Sequence, residues 1–304
     1  MQAREDPNPT AVAVPSAYFS ACSADRRLES SSVRILFVGD IIGRPGREVV
    51  CAEVPRLRES LKLDFVVGNA ENSAGGFGIT RSTANELFAA GLDVITSGNH
   101  WADQKEILSH IVEEDRILRP ANYPAGTPGR GAGLFEARNG MRVLVVNVMG
   151  RTFMDPLDDP FAAVAHELSA CPLGEAADAI VVDMHAEATS EKMAMGHFCD
   201  GRASLVGGTH SHVPTADAQI FPGGTAYQTD AGACCDYDSV IGMEKFEPLQ
   251  RFTRKMSTSR YSPAGGPATL CAIFVETNSK GLAERIEPVR VGGRLKQSLP
   301  HLGC

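Results

Sequence analysis

The feature that most constrains the fold is a repeated alternation of apolar runs, small or polar residues and helical segments, which begins at Val33. The apolar runs have Val, Ile and Leu at consecutive positions, which is typical of strands buried on both faces of a sheet. Before residue 213 these runs are 34–38, 64–67, 93–96, 141–148, 179–184 and 203–206. Segments 47–61, 80–90 and 103–112 have apolar residues at a helical spacing. The alternation predicts an α/β fold with a mostly parallel first half.

The pattern changes after residue 213, where two hairpins are predicted. Each hairpin consists of two strand-like runs joined by turn residues rich in glycine, asparagine or proline. The runs are 218–221 with 225–229, and 268–276 with 283–289. We therefore expect an antiparallel-rich second half.

The domain organisation follows from where the alternation starts and stops. Residues 1–33 are rich in Ala, Ser and Pro and have no sustained periodicity, so we expect a disordered leader or a misassigned start. An organelle-targeting role stays open, whereas a secretory signal does not fit. We expect a single domain over 34–292 and a flexible tail over 293–304. A chain of 304 residues is long enough for one such domain.

Composition limits the partners and the location. The net charge of −8 argues against charge-driven binding to a polyanion, because such binding depends on Lys and Arg. No apolar run approaches the ~20 residues of a membrane span. The eight cysteines include no CxxC pair, which is typical of reduced thiols, and we expect Cys234 and Cys235 to pack as thiols. We predict a cytoplasmic protein with no membrane partner and no strong non-specific nucleic-acid binding; whether it forms a homo-oligomer stays open.

Side chains suited to metal binding follow five of the predicted strands. Ligands of open α/β sheets bind beyond the carboxyl ends of the strands. In chain order the candidates are Asp40, Glu71 with Asn72, Asn99 with His100, His185, and His210 with His212. Taken singly, Asp40 or Asn72 could cap a helix and His185 could be a structural histidine. The joint pattern favours a common site. The other histidines, His110, His166, His197 and His301, are expected at the surface or in packing roles.

The donor types indicate which ions the site would hold. On an extended segment, His210 and His212 point to the same side. Carboxylate, amide and imidazole donors without a thiolate suit Fe, Mn or Zn. The candidates are too many for one tetrahedral ion but suit two ions that share a carboxylate, with a hydroxide between them. Two metals roughly 3.5–4 Å apart acidify the bridging water and stabilise both the attacking and the leaving oxygen of an in-line displacement.

At this point the sequence resembles a known family. Asp40, Gly98-Asn99-His100 and Gly208-Thr209-His210-Ser211-His212 resemble motifs of the calcineurin-like metallophosphoesterases. That superfamily usually has a DxH at the first strand, and here Ile42 occupies the position of the histidine. Glu71-Asn72 offers a replacement, which is similar to the YmdB-like 2',3'-cyclic-nucleotide 2'-phosphodiesterases. The stretches FVGDIIGRPGR, ENSAGGFGIT, GNHWADQKEI and VDMHAEATSEKMAMG also resemble that family, over about residues 34–290.

The resemblance implies a fold, a metal set and a reaction. The implied fold is a four-layer α-β-β-α sandwich of two mixed sheets flanked by helices. The implied cofactors are two divalent ions, Fe or Mn, with Zn as a third candidate. One ion would be held by Asp40, Glu71, Asn72 and His212, and the other by Glu71, Asn99, His185 and His210. His100 would donate a proton to the leaving alkoxide. The implied reaction converts a 2',3'-cyclic nucleotide, a small-molecule phosphodiester, to a 3'-nucleotide by attack of the metal-bridging hydroxide.

Two other functions remain as alternatives. One is a broad-specificity phosphomonoesterase or protein phosphatase at the same site. The other is a regulatory RNA-related protein with weak catalysis, which the complete ligand set and the acidic charge speak against.

Several neighbours of the candidate ligands have predicted supporting roles. Glu187 and Thr189, near His185, and Thr209, beside His210, are candidates to orient imidazoles. The glycine-rich stretch 73–78 lacks the lysine of a P-loop, so we expect its backbone to approach the metal site. Phe77 and Trp101 are candidates to stack on a base.

Overall fold

The computed structural model describes residues 32–301. The predicted leader therefore lies outside the described residues except at its last two positions, and so do the last three residues of the predicted tail. Within the described part, Arg290 and Ser298 exchange backbone hydrogen bonds, which returns the chain after residue 292 to the last strand. The predicted single domain and flexible tail stay predictions.

The described residues contain thirteen strands and six helices. The strands are β1 Arg34–Val38, β2 Asp40–Ile41, β3 Phe65–Asn69, β4 Val94–Thr96, β5 Ala132–Glu136, β6 Arg142–Met149, β7 Ala179–His185, β8 Leu205–Thr209, β9 Gln219–Ile220, β10 Ala226–Gln228, β11 Ala233–Cys234, β12 Thr269–Thr277 and β13 Ala283–Gly292. The helices are α1 Gly43–Ser60, α2 Arg81–Ala90, α3 Ile107–Glu113, α4 Pro160–Ala170, α5 Thr189–Cys199 and α6 Phe246–Arg254. None of these helices is long and apolar enough to cross a bilayer.

Two large mixed sheets organise the described chain. The five-stranded sheet has the order β13-β12-β1-β3-β4, and the six-stranded sheet has the order β5-β6-β7-β8-β10-β9. β1, β3 and β4 are parallel, and so are β6, β7, β8 and β10. The predicted α/β class is confirmed. Both predicted hairpins are present, β9 with β10 and β12 with β13. After residue 213, β10 nevertheless pairs in parallel with β8, and β11 pairs in parallel with β2.

Consecutive apolar residues of the central strands are buried on opposite faces, as their sequence predicts. In β1, Leu36 and Val38 pack into a cluster with α1 and α2, whereas Ile35 and Phe37 pack into a cluster that holds side chains of both sheets. A third cluster joins β6, β7 and β8 to α4 and α5. The layer order itself stays a prediction.

The observed bounds of α2 agree with the prediction to within one residue, whereas α1 begins four residues earlier and α3 four residues later than predicted. α2 begins after Thr80, whose hydroxyl accepts the N–H of Thr83, and ends at Gly91, which adopts φ 108°. α3 begins only at Ile107, because residues 99–106 form turns instead of the predicted first helical turn. Those turns keep the residues that follow β4 beside the candidate site.

Candidate metal centre

Strands of both large sheets end at one place, and their ends carry the predicted site residues. The five-stranded sheet contributes Glu71 and Asn72 after β3, and Asn99 after β4, while Asp40 follows the end of β1 as the first residue of β2. The six-stranded sheet contributes His185 at the end of β7, and His210 and His212 after β8. All of these residues are buried except Asn99 and His210, which are half-buried. The two sheets therefore bring the predicted ligands together.

The first group of donor atoms surrounds the Nε2 atom of His185. Asn99 Oδ1 lies 3.0 Å from it, His210 Nδ1 3.1 Å and Glu71 Oε1 3.3 Å. Two ligands bound to one ion at about 2.1 Å and at right angles are about 3 Å apart. These spacings therefore fit a metal site with four protein donors.

The second group shares Glu71 with the first. One donor atom each from Asp40, Glu71 and His212 lies within 4.8 Å of the others. Asp40 Oδ1 and Asn72 Oδ1 are buried and accept no hydrogen bond from the described residues. Buried oxygens without a partner cost about 1–3 kcal/mol each, so they point to a cation as their partner. The donor set fits divalent ions such as Fe, Mn or Zn.

Hydrogen bonds behind the imidazoles direct one nitrogen of each ring into this centre. Thr209 Oγ1 donates to Asp183 Oδ1 at 2.7 Å, so it accepts from Nδ1 of His185 at 2.9 Å and leaves Nε2 for the centre. In the same way, the Ile241 carbonyl accepts from Nδ1 of His212 at 2.9 Å. A methyl group at Gly98 would collide with the imidazole of His185, so only glycine allows this packing.

Burial and charge set the protonation of the centre. Burial raises the pKa of Asp40 to about 6 against the attraction of His212 and His185. Burial also opposes ionisation of Glu71, but His185 overcomes it and lowers the pKa of Glu71 to about 2. Burial alone would lower the pKa of His185, yet Glu71 raises it to about 9. Burial and the positive His185 lower the pKa of His210 to about 3. Protonated His185 thus balances the carboxylates, and a bound metal ion would take over this role and displace the proton.

His100 lies at the edge of the centre. Its backbone N–H donates to Glu71 Oε2 at 3.0 Å, and its Nδ1 lies 2.8 Å from Asp103 Oδ2. The carboxylate therefore accepts from Nδ1, which leaves Nε2 to face a ligand. Asp103 was not singled out from the sequence, and its place three residues after His100 was the available signal.

A cavity of about 400 Å³ opens beside the centre. Its polar wall contains side chains of the candidate site: Glu71, Asn72, His100, Glu187, His210, Ser211 and His212. Its other wall is mostly apolar and comprises Phe77, Val240, Ile241, Met243, Pro248, Phe252 and Tyr261. No Lys or Arg of the described chain lines it. An anionic ligand here must therefore be neutralised by other charges, such as bound cations.

Comparison with known proteins now assigns the family. A family model described as YmdB-like protein matches residues 36–289. The chain belongs to the YmdB-like family. It is similar to the 2',3'-cyclic-nucleotide 2'-phosphodiesterase of Bacillus subtilis (strain 168), with 45% identity over 251 residues that cover 82% of this chain and 92% of that protein. The prediction of the family and of a hydrolase is confirmed.

Two crystal structures share the fold of this YmdB-like chain. A hypothetical protein from Thermus thermophilus is 43% identical with a TM-score of 0.80, and the match covers 86% of this chain and 100% of that one. A novel phosphatase from Mycoplasma pneumoniae is 30% identical with a TM-score of 0.79, and the match covers 86% of this chain and 94% of that one. The similarity thus extends over nearly the whole length of both structures.

In the YmdB-like chain, the prediction that His210 and His212 lie on an extended segment is wrong. β8 ends at Thr209, and His210 and His212 adopt φ 92° and 64°, so the segment is not extended. The two rings reach the centre because the backbone turns, and not because of strand alternation. Asp230 holds this turn: it accepts the N–H of Ser211 at 3.1 Å and the hydroxyl of Ser211 at 2.7 Å. Asp230 in turn forms a buried ion pair with Lys192, at 2.8 Å.

Thr209 and Glu187 each support a different imidazole from the predicted one. The hydroxyl of Thr209 hydrogen-bonds to the imidazole of His185 and not to that of His210. Glu187 lies 3.2 Å from Nε2 of His210 and not beside His185. Thr189 is exposed and hydrogen-bonds to neither imidazole, because it begins α5, which leads away from the site. Asp183 was missed, although it lies two residues before His185 on the same strand and therefore on the same side.

The remaining predictions have mixed outcomes. The Gly76 carbonyl accepts from the amide of Asn72 at 2.9 Å, so the glycine-rich stretch does approach the site, as expected. Phe77 lines the cavity, where it could contact a ligand. The prediction that Trp101 stacks on a base is wrong, because its side chain is buried against Tyr123. Ile42, whose side chain has no donor atom, packs in an apolar cluster with Cys235.

Proposed function

We propose that the chain is a binuclear metal-dependent phosphodiesterase that hydrolyses 2',3'-cyclic nucleotides to 3'-nucleotides. The observation that carries the proposal is that Glu71 belongs to two groups of donors, one with His185 and His210 and the other with Asp40 and His212, and that Asp40 Oδ1 in the second group is a buried oxygen without a hydrogen-bond partner among the described residues. A shared carboxylate between two donor groups suits two ions better than one. The name of the similar Bacillus protein supports the substrate.

The proposed ligand sets follow the two groups of donors. Asp40, Glu71, Asn72 and His212 would hold one ion, and Glu71, Asn99, His185 and His210 the other. Iron or manganese is proposed, with zinc as a third candidate, because the donors are oxygen and nitrogen only. When bound, a pair of divalent cations acidifies the attacking water and neutralises charge on the phosphate.

The chain supplies the proton and the orientation. Asp103 accepts from Nδ1 of His100, so the imidazolium form would keep its Nδ1 proton and give its Nε2 proton to the 2'-oxygen as the bond between this oxygen and phosphorus breaks. Water adds its hydroxyl to phosphorus, its other proton restores the imidazolium by way of solvent, and the product is a 3'-phosphate with a free 2'-hydroxyl. Protonation matters because an alkoxide is a poor leaving group.

The architecture and location belong to the same proposal. We propose that the three apolar clusters are the interfaces of the four-layer α-β-β-α sandwich, since the second cluster contains residues of both sheets and the outer two contain helices. The free, buried Cys234 and Cys235 support a reducing, cytoplasmic environment.

The test combines metal analysis with a substrate panel. Purified protein should contain two metal ions per chain by elemental analysis and convert cyclic nucleotides to 3'-nucleotides, identified by phosphorus NMR. Glu71→Gln should lose both metal and activity because it removes the shared charge, whereas Glu136→Gln, at an exposed position, is the matched control.

The proton donor is tested separately. His100→Ala should retain two metal ions and lose about 100-fold or more in kcat, the usual contribution of general acid catalysis. His166→Ala, on the exposed face of α4, is its control. Faster turnover of phosphate monoesters than of cyclic diesters, or one ion per chain, would overturn the proposal.

A further inference from the structure

The segment that forms the apolar wall of the cavity also has an exposed outer surface. Phe246, Leu249 and Phe252 are spaced to lie on one face of α6, and they are 62%, 52% and 74% exposed. Phe252 belongs to this face and also lines the cavity. We use the name α6 surface for these three residues together with the basic residues Arg254, Lys255 and Arg260. It is continuous with the candidate site.

The charge of this segment is opposite to that of the whole chain. Residues 244–260 contain five basic and two acidic residues, whereas the net charge of the protein is −8. Glu247 does not cancel the basic charge at the surface, because it is buried and bonds Arg251, Thr258 and Ser259. Arg254, Lys255 and Arg260 are exposed and form no ion pair within the described chain. Exposed aromatic residues and free cations on one short segment are features of surfaces that bind single-stranded nucleic acid.

The chemistry of a cyclic phosphate determines how such a chain can enter. The 2' and 3' oxygens are both bound to the phosphorus, so a polymer can continue only from the 5' oxygen of the terminal nucleotide. With the cyclic phosphate at the metal centre, the preceding nucleotides must leave the cavity through its opening. Phe252 lies at that opening and leads onto the α6 surface.

We propose that the α6 surface binds single-stranded RNA whose 3' end carries a 2',3'-cyclic phosphate, and that such RNA ends are a substrate class of this enzyme. The inference rests on the proposed function. A base stacks on Phe252 or Phe246, and the phosphates face Arg254, Lys255 and Arg260. End-on binding to a local basic surface agrees with an acidic protein that does not coat nucleic acid in general.

The test compares one reaction on two substrates. A pentauridylate with a terminal 2',3'-cyclic phosphate and 2',3'-cyclic UMP are supplied to the manganese-loaded protein, and the ratio of their kcat/KM values is measured. We expect the pentauridylate to be favoured about tenfold or more, as one stacked base and a few phosphate contacts provide. The preference should fall as the salt concentration is raised. Binding of the RNA to basic residues releases counterions from its phosphates, and this release is less favourable at high salt.

Variants locate the preference on α6. Arg254→Glu/Lys255→Glu should lower the ratio toward one, and Phe246→Ala should lower it in part. Lys62→Glu/Lys280→Glu is the matched control: Lys62 follows α1 with φ 50°, as Lys255 follows α6 with φ 55°, and both control residues are exposed and form no ion pair with residues 32–301. The control should keep the wild-type ratio.

Three results overturn the inference. They are a wild-type ratio near one, a ratio that the α6 variants do not change, and a change from dimer to monomer in Phe246→Ala by light scattering, which would make the α6 surface a subunit interface. Binding of a pentauridylate 3'-phosphate, followed by fluorescence anisotropy, is independent of turnover. If cyclic UMP is not hydrolysed but this binding is lost in the Arg254→Glu/Lys255→Glu variant, the proposed function fails and the RNA surface stands.

Discussion

The buried ion pair between Lys192 and Asp230 allows a sharp test of how the metal-binding turn is held. Both side chains are 0% exposed, and Nζ of Lys192 lies 2.8 Å from Oδ2 of Asp230. The same carboxylate accepts two hydrogen bonds from Ser211 and one from the Gly232 N–H. Lys192→Met removes the positive charge and keeps most of the volume, so Asp230 becomes a buried charge without its counter-ion.

The expected cost is large. Removing one partner of a buried pair costs about 3–5 kcal/mol, because the other charge stays away from water without compensation. For a chain of this size the melting temperature should fall by about 5–8 °C. Since Asp230 positions the turn between His210 and His212, metal content should fall as well.

Urea unfolding and elemental analysis measure both effects. The double variant Lys192→Met/Asp230→Asn is the internal control, since asparagine keeps an acceptor for Ser211 and removes the lone charge. It should be more stable than Lys192→Met alone. A Lys192→Met protein within about 1 kcal/mol of wild type, or a double variant less stable than the single one, would refute this reasoning.

Three further predictions concern the site and its surroundings. Gly98→Ala should fold but bind metal more weakly, by elemental analysis, because the new methyl group displaces His185. Asp103→Ala should lower kcat about tenfold, within the range of acid catalysis, and leave the metal content unchanged, because it only releases the ring of His100. Burial lowers the pKa of His110 below 6.5 in the folded state, so the unfolded chain binds the proton more tightly and stability falls as the pH falls below about 6.5. Thermal melts of His110→Leu should show a smaller loss between pH 7.5 and 5.5 than wild type; an equal loss would count against this assignment.

The sequence alone determined most of the strands and the residues at their ends, although β2, β5 and β11 were not predicted. The runs that form β1 and β7 predict strands buried on both faces, because nearly every position in them is apolar. Asp40 and His185 could be singled out because a polar residue directly after such a run lies at a sheet edge, where the carboxyl ends of parallel strands meet. These are local properties of the chain, and the family resemblance added the grouping into two ion sites.

Only the tertiary structure decided which partners meet across long separations. Lys192 and Asp230 lie 38 positions apart and come together because α5 packs on β8, and Asp230 follows β10, the neighbour of β8 in the sheet. The hydroxyl of Thr209 hydrogen-bonds to His185 and not to the adjacent His210. The reason is that the parallel strands β7 and β8 end side by side, with His185 paired to Thr209. Trp101 was misjudged for the same reason: residue type says that an indole can stack, whereas packing against Tyr123 decides that it is buried.

The shape of the substrate cavity also depended on the tertiary structure. α6 and the turn after β11 have no motif that marks them as part of a site, and their apolar residues form the cavity wall because the chain returns to the metal centre from far along the sequence. Local pattern fixes secondary structure and marks chemically suited residues, since it depends on periods of a few positions. Burial, hydrogen-bond partners and cavity walls depend on which distant segments share a core, and that is a property of the packed fold alone.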